Sequence, residues 1–291
     1  MQNNFWLKVV GIMVLSTMVS FATVKFSEIT PSAIKKSVYD RVVSSGTIKA
    51  CYVITPPSLI KDPNNGQLSG ISFDVLEQAA KNLGLKLSWD YEVGWGEMIE
   101  ALNTDKCDII GSALWGNSNR GKSADFTIPL FYSAINAYVR ADDYRFDGNL
   151  KIANDGKYTL ATIDGTTPQL IATRQFPDAK TLELPQNSDA SLLLVNVTSG
   201  KADMTFVEAS TARLYDKNNP NKLRAVANVK PVAIYEDIML VKKGEYELKT
   251  TIDGALKELL YGGYVDDIID RYEEKYPGGF YRIGTPYIVP R

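Results

Sequence analysis

The sequence predicts a two-lobed α/β protein in which each lobe is a mostly parallel sheet flanked by helices, and two crossing strands join the lobes. Three observations predict it. Strand-like and helix-like segments alternate from Thr47 to Leu114, the pattern of a parallel sheet with crossover helices. The alternation restarts at Tyr158. Two extended apolar runs, Phe131 to Arg140 and Val232 to Val241, lie where the chain would leave the first lobe and return to it. A pair of such crossings permits hinge closure about a ligand. The first lobe is expected at residues 32–135 plus 236–280, the second at 136–235, and a C-terminal tail at 281–291.

Ile34, Val38, Val42 and Val43 give Ser32 to Ser45 the spacing of a short amphipathic helix, stopped by Gly46. Thr47 to Ile54 reads as a strand, and Asp62 to Gly66 as a turn-rich loop. Phe73 to Leu83 places Val75, Leu76, Ala79 and Ala80 on one helical face before Gly84. Lys86 to Val93 alternates, with Leu87, Trp89, Tyr91 and Val93 predicted on one side of a strand. A helix carrying Met98, Ile99 and Leu102 follows, then a strand from Cys107 to Leu114. In the second unit, Tyr158 to Ile163 is a strand, Asp164 to Pro168 a tight turn into a helix, Ser188 to Ser199 a helix and Ala202 to Val207 a strand. Glu247 to Tyr276 has helical periodicity interrupted at Gly262-Gly263. Asp74 reads as the cap of its own helix.

Composition narrows the function. The chain has 291 residues, 45% hydrophobic and 23% charged, enough for two modest lobes. A net charge of -2 without an extended basic run gives no nucleic-acid footprint. With no histidine and only two cysteines, zinc sites and His-dependent triads are excluded or nearly so, and no metal or cofactor is expected. Cys51 and Cys107 lie beside neighbouring strand-like runs, as a disulfide pair or as two small buried residues. Residues 1–24 carry a short apolar run after Lys8 with small residues at Ser20 and Ala22, an export signal or a retained anchor.

Six segments resemble, in order and spacing, the family 3 bacterial solute-binding proteins, the periplasmic amino-acid-binding proteins of ABC transporters. They are Gly46-Thr47-Ile48-Lys49; Gly70-Ile71-Ser72-Phe73-Asp74-Val75; Trp95 to Leu102; Asp108-Ile109-Ile110 through Arg120; Ala124 to Leu130; and Ser199-Gly200-Lys201-Ala202-Asp203. The resemblance covers about Gly46 to Tyr276 and implies a periplasmic-binding-protein-like fold of type II. It implies a non-enzymatic, monomeric periplasmic protein that delivers a small amino-acid-like ligand to an ABC transporter permease.

A zwitterion enclosed away from water needs a fixed cation, a fixed anion and dipoles for its remaining polar atoms. Arg120 matches the family's carboxylate-gripping arginine, whose planar fork meets two oxygens at once. Glu208 stands where the family usually has the aspartate that receives the α-ammonium. Thr166 and Thr167 open a helix whose first-turn N–H groups can bind a carboxylate. Asn117 departs from the family's threonine three residues before the arginine, and Trp115 and Gly116 are further departures. Pro57-Ser58-Leu59 replaces the usual aromatic lid, leaving Tyr52, Trp95 or Trp115 as the stacking face.

Each assignment has a plainer competitor: an Arg120–Asp125 surface ion pair, or Glu208 as a helix-start carboxylate favoured by the dipole. Two rival functions follow. A cyclohexadienyl dehydratase-like enzyme, acting on prephenate or arogenate, would need a proton donor besides the carboxylate clamp. A membrane-anchored sensory binding domain would keep residues 1–24.

Overall fold

The computed structural model describes residues 37–276 and 280–284. The export-signal expectation at residues 1–24, and most of the tail at 281–291, lie outside them. The expected first helix begins later than Ser32: Ser37 is not helical, and α1 runs over Val38–Ser45.

The first half of the chain gives β1 (Thr47–Tyr52), the short hairpin β2 (Ile60–Lys61) and β3 (Leu68–Ser69), α2 (Ile71–Asn82), β4 (Lys86–Glu92), α3 (Met98–Asn103), β5 (Ile109–Trp115), α4 (Ser118–Ser123) and β6 (Ala124–Phe126). The crossing strand β7 (Phe131–Arg140) follows. The second unit contains a 3-10 turn (Leu150–Ala153), β8 (Thr159–Ile163), α5 (Thr167–Gln175), β9 (Lys180–Leu184), α6 (Ser191–Thr198), β10 (Met204–Glu208), α7 (Ala209–Asn218) and β11 (Leu223–Ala225). The chain returns through β12 (Ala233–Lys242) to α8 (Tyr246–Tyr261) and α9 (Tyr264–Glu273), which are separated by Gly263 in the left-handed region at φ 81°. Left-handed backbone is the conformation for which glycine is the default residue, so the break at Gly262-Gly263 turns one periodic stretch into two helices.

The main sheet runs β4-β1-β5-β12-β7-β10-β8-β9. β4, β1 and β5 are parallel, as are β10, β8 and β9. Between these blocks the two crossing strands pair antiparallel, from Ala233 with Ile135 to Asp237 with Phe131. Beyond that overlap β7 pairs with β10, and β12 with β5 and β6. Each crossing strand thus belongs to both lobes, and the fold is a two-lobed type II architecture.

Separate cores fill the lobes. α1, α2, α8 and α9 pack Val75, Leu76, Leu256 and Ile268 against Ile109 and Met239. In the second lobe Phe146, Phe176 and Phe206 form a buried cluster with Leu160 and Ile171. Cys51 and Cys107 are joined as a disulfide that ties β1 to the approach of β5.

Two local expectations are corrected. The alternation of β4 is broken by a register shift: Ala50 pairs with Trp89 but Cys51 pairs with Tyr91. A bulge of this kind re-aims the side chains that follow it, and Tyr91 is exposed whereas Val93 is buried. Asp74 does not cap its helix. The N-cap is Gly70, and Asp74 Oδ2 instead accepts from the Tyr272 hydroxyl at 3.0 Å and from Arg271 at 3.3 Å. Strands β6, β9 and β11 and helices α4 and α7 are further elements that the sequence reading does not predict.

Candidate functional site

A cavity of about 920 Å³ opens at the C-terminal ends of the parallel strands of both lobes, the position where open α/β sheets bind ligands. From the first lobe come the Val53 to Ser58 loop, Trp95, Trp115 and Arg120; from the second come Thr166, Thr167 and Glu208. Asp237 of the crossing strand β12 also lines it. The lobes approach closely at its rim, where a Cβ on Gly96 would lie 1.5 Å from Gln186 Oε1.

Arg120 sits at the cavity on α4, only 8% exposed. Asn117 caps this helix, its Oδ1 accepting the N–H groups of Asn119 at 3.1 Å and Arg120 at 3.0 Å. The Arg120 guanidinium donates to the Trp115 carbonyl at 2.7 Å and lies over the Trp95 ring, 5.8 Å from its centroid. No Arg120–Asp125 pair forms, because Asp125 takes Lys243 at 2.7 Å and the Gly244 N–H at 2.8 Å. Burial without a counter-charge pushes the Arg120 guanidinium down to about 10, so it remains a cation at neutral pH.

Glu208 is the N-cap of α7 by position, but its side chain caps nothing. It turns instead to Ser133 Oγ at 2.9 Å and accepts from Ser210 Oγ at 3.2 Å. Ser133 Oγ lies 2.7 Å from Asp237 Oδ2 and accepts the indole N–H of Trp115 at 2.7 Å. Burial raises the Glu208 carboxyl above the ordinary carboxylate range, against the hydrogen bonds it accepts. Burial and the neighbouring Glu208 charge raise Asp237 well above it. Among the described residues neither acid forms an ion pair.

A pH dependence follows. Burial raises these carboxyls above the ordinary carboxylate pKa of about 4 that they have in the unfolded chain, so the folded protein binds a proton there more tightly than the unfolded chain does. Stability must therefore fall as pH rises from that value towards the folded pKa values, by about 1.4 kcal/mol per pH unit for each retained proton. Urea unfolding at a series of pH values should show Asp237→Asn gaining stability relative to wild type as pH rises. A pH-independent difference between the two would contradict this.

Thr166 is the N-cap of α5 in extended geometry, yet its hydroxyl donates back to the Ile163 carbonyl at 2.6 Å rather than into the helix. The first-turn N–H groups of Thr167 and Gln169 therefore have no side-chain cap, and Pro168 has no N–H. Six of the eight residues singled out from sequence line the cavity, and two do not. Asn117 serves as the helix cap beneath Arg120 and meets Thr167 Oγ1 across the cleft at 3.4 Å. Tyr52 is buried against Trp89, with ring centroids 6.2 Å apart, so it offers no stacking face. The Trp115 indole is held by Ser133 and stacks on Tyr235 at 6.1 Å.

Sequence reasoning missed Asp237 and Ser133. The available signal for Asp237 was the acidic pair Glu236-Asp237 inside a largely apolar crossing strand, where one of two successive side chains must face inward.

Fold and cleft together define a class: a two-lobed protein that encloses a small solute. The profile of the bacterial extracellular solute-binding proteins, family 3, matches residues 48–275, and the chain belongs to that family. A probable histidine-binding protein of Campylobacter jejuni is 24% identical over 222 residues, which make up 72% of this chain and 78% of the relative. The membrane-bound lytic murein transglycosylase F of Salmonella paratyphi B is 25% identical over 219 residues; the match takes in 74% of this chain and 40% of that enzyme. Among solved structures, an ancestral amino acid-binding protein, a precursor of cyclohexadienyl dehydratase, gives a TM-score of 0.69 at 25% identity over 83% of this chain and 99% of its own. The cysteine-binding protein of Campylobacter jejuni gives 0.70 at 20% identity over 83% and 94%, a likeness of fold.

Proposed function

We propose that this solute-binding protein captures a free amino acid in its cleft within the periplasm and, as a monomer, presents the closed form to an ABC transporter permease. The observation that carries this reading is a pair of complementary unmet charges on one cavity: among the described residues Arg120 is a buried cation without an anion, and half-buried Glu208 and buried Asp237 are acids without a cation. Leaving a buried charge unpaired is costly. A ligand bearing one carboxylate and one ammonium supplies both partners. Arg120 and the uncapped start of α5 receive the carboxylate, and the Glu208 side receives the ammonium. Trp95, already over the guanidinium, covers the ligand's other flank. Contacts from both lobes to one ligand favour the closed state, which is the condition for ligand-driven hinge motion.

Thermal unfolding against the proteinogenic L-amino acids tests the reading. An amino acid present at 1,000 times its Kd adds about 4.1 kcal/mol of stability, which at this size raises Tm by about 8 to 16 °C. Silence across the whole set would overturn it. One observation favours a second reading, a dehydratase-like enzyme: the cleft holds Asp237, whose carboxyl is raised well above the ordinary range by burial and by the Glu208 charge, the direction a proton donor for such chemistry needs. Product formation from prephenate or arogenate would decide for it.

A further inference from the structure

Ser133 joins two acids with a single hydroxyl, and its hydrogen-bond count is restrictive. A serine hydroxyl has one hydrogen to give and two lone pairs to receive. Its Oγ has three close partners: the Trp115 Nε1–H at 2.7 Å, Glu208 Oε1 at 2.9 Å and Asp237 Oδ2 at 2.7 Å. The indole can only donate, so it takes one lone pair. The serine hydrogen goes to one carboxylate. The third contact is a hydrogen bond only if the remaining carboxyl carries a proton and donates it to the second lone pair. The geometry of the cleft therefore calls for one proton shared within Glu208–Ser133–Asp237.

We propose that this carboxyl pair holds one proton when the cleft is empty and releases it to solvent when the ligand's ammonium group arrives, so that capture is coupled to proton release. The inference rests on the reading of the cleft as an amine-receiving site. An ammonium donates up to three hydrogen bonds and accepts none, so it competes directly with the shared proton for the same acceptor oxygens. Two ionised carboxylates side by side are tolerated once a cation lies against them. Asp237 is then a specificity-determining residue: it sets a requirement for a fully cationic amine and makes affinity rise with pH while the ligand amine stays charged.

The charged and titratable groups facing the pair are few. Arg120 of α4 lines the same cavity and is held on the Trp115 carbonyl. β7 presents Tyr138, on which both Glu208 and Arg213 of α7 act. β12 presents Tyr235, stacked on Trp115. Buried beside the pair, Ser210 donates to the other Glu208 oxygen, so the shared proton is confined to the Ser133 side.

The test has two parts, both on the intact protein. Infrared difference spectra of ligand-free wild type at neutral pH should contain a protonated carboxyl band that is missing in Asp237→Asn, whose amide reproduces the donor to Ser133 without a titrating proton. Calorimetric titration with each proteinogenic L-amino acid, in buffers of different ionisation enthalpy, should show about one proton released per amino acid bound. Affinity should rise up to about tenfold per pH unit below the pKa of the pair, with both effects lost in Asp237→Asn. No protonated carboxyl in the ligand-free protein, or binding without proton release, overturns the proposal and leaves the amino-acid reading standing. Binding by no amino acid overturns that reading instead, while the infrared band still reports on the proton.

Discussion

Replacing Arg120 by methionine is expected to weaken amino-acid binding by about 3 to 5 kcal/mol, two to three and a half orders of magnitude in Kd, while leaving the ligand-free fold intact. The two halves of this expectation have different origins. Binding is lost because the ligand carboxylate would enter a desolvated site with its cation gone. Stability is retained because Arg120 has no counter-ion among the described residues, and burial already disfavours its charge. An apolar side chain removes that desolvation cost, and what it gives up is one hydrogen bond to the Trp115 carbonyl, a contribution of about 1.5 to 3 kcal/mol for a charged donor, together with the weaker cation–π contact to the Trp95 ring. The two changes largely offset each other. Urea unfolding and ligand titration of the same variant separate the roles. A variant that unfolds several kcal/mol more easily yet binds normally would make Arg120 a structural residue.

The cavity lining was legible where a residue's type and its place at a strand-to-helix junction coincide. Arg120, Thr166, Thr167 and Glu208 all sit at such junctions, and those junctions line the cavity. Asp237 could not be read this way. It lies mid-strand, and only the register pairing it with Phe131 on one side and Trp115 on the other brings it to the cleft floor. Register is a long-range property that the period of a single strand does not contain. Tyr52 erred for the related reason that a strand's end can turn towards the cleft or towards its neighbour, and Trp89 fills the space beside it. Asn117 is different: an asparagine just before a short helix is a cap signal, and it was outweighed by the position's resemblance to a ligand-binding threonine. The fold was more visible than the site because repeated strand–helix units are local patterns, whereas a hydrogen-bonded acid pair assembled from β7, β10 and β12 is not.

Removing the disulfide is expected to cost about 4 kcal/mol of stability. Cys51 and Cys107 are 56 residues apart, and closing a loop of that length lowers the entropy of the unfolded chain by about this amount. For a domain of this size that is a fall in Tm of about 8 to 16 °C in Cys51→Ala/Cys107→Ala. The loop spans α2, β4 and α3, and it is pinned behind the strands that carry the Val53 to Ser58 loop and Trp115. Both cysteines are buried, with Met98, Leu102 and Ile110 in the same cluster, so a reductant should act slowly on the folded protein and fully once it unfolds. Wild type scanned with reductant after unfolding and refolding should match the double variant, and the variant itself should not respond. Ligand affinity at low temperature should change little, since neither cysteine touches the cavity. An unchanged Tm in the double variant would mean that the unfolded chain gains nothing from the cross-link. The expected result would make stability depend on an oxidising compartment, where such bonds persist, and would tie the fold's stability to the export expected of its family.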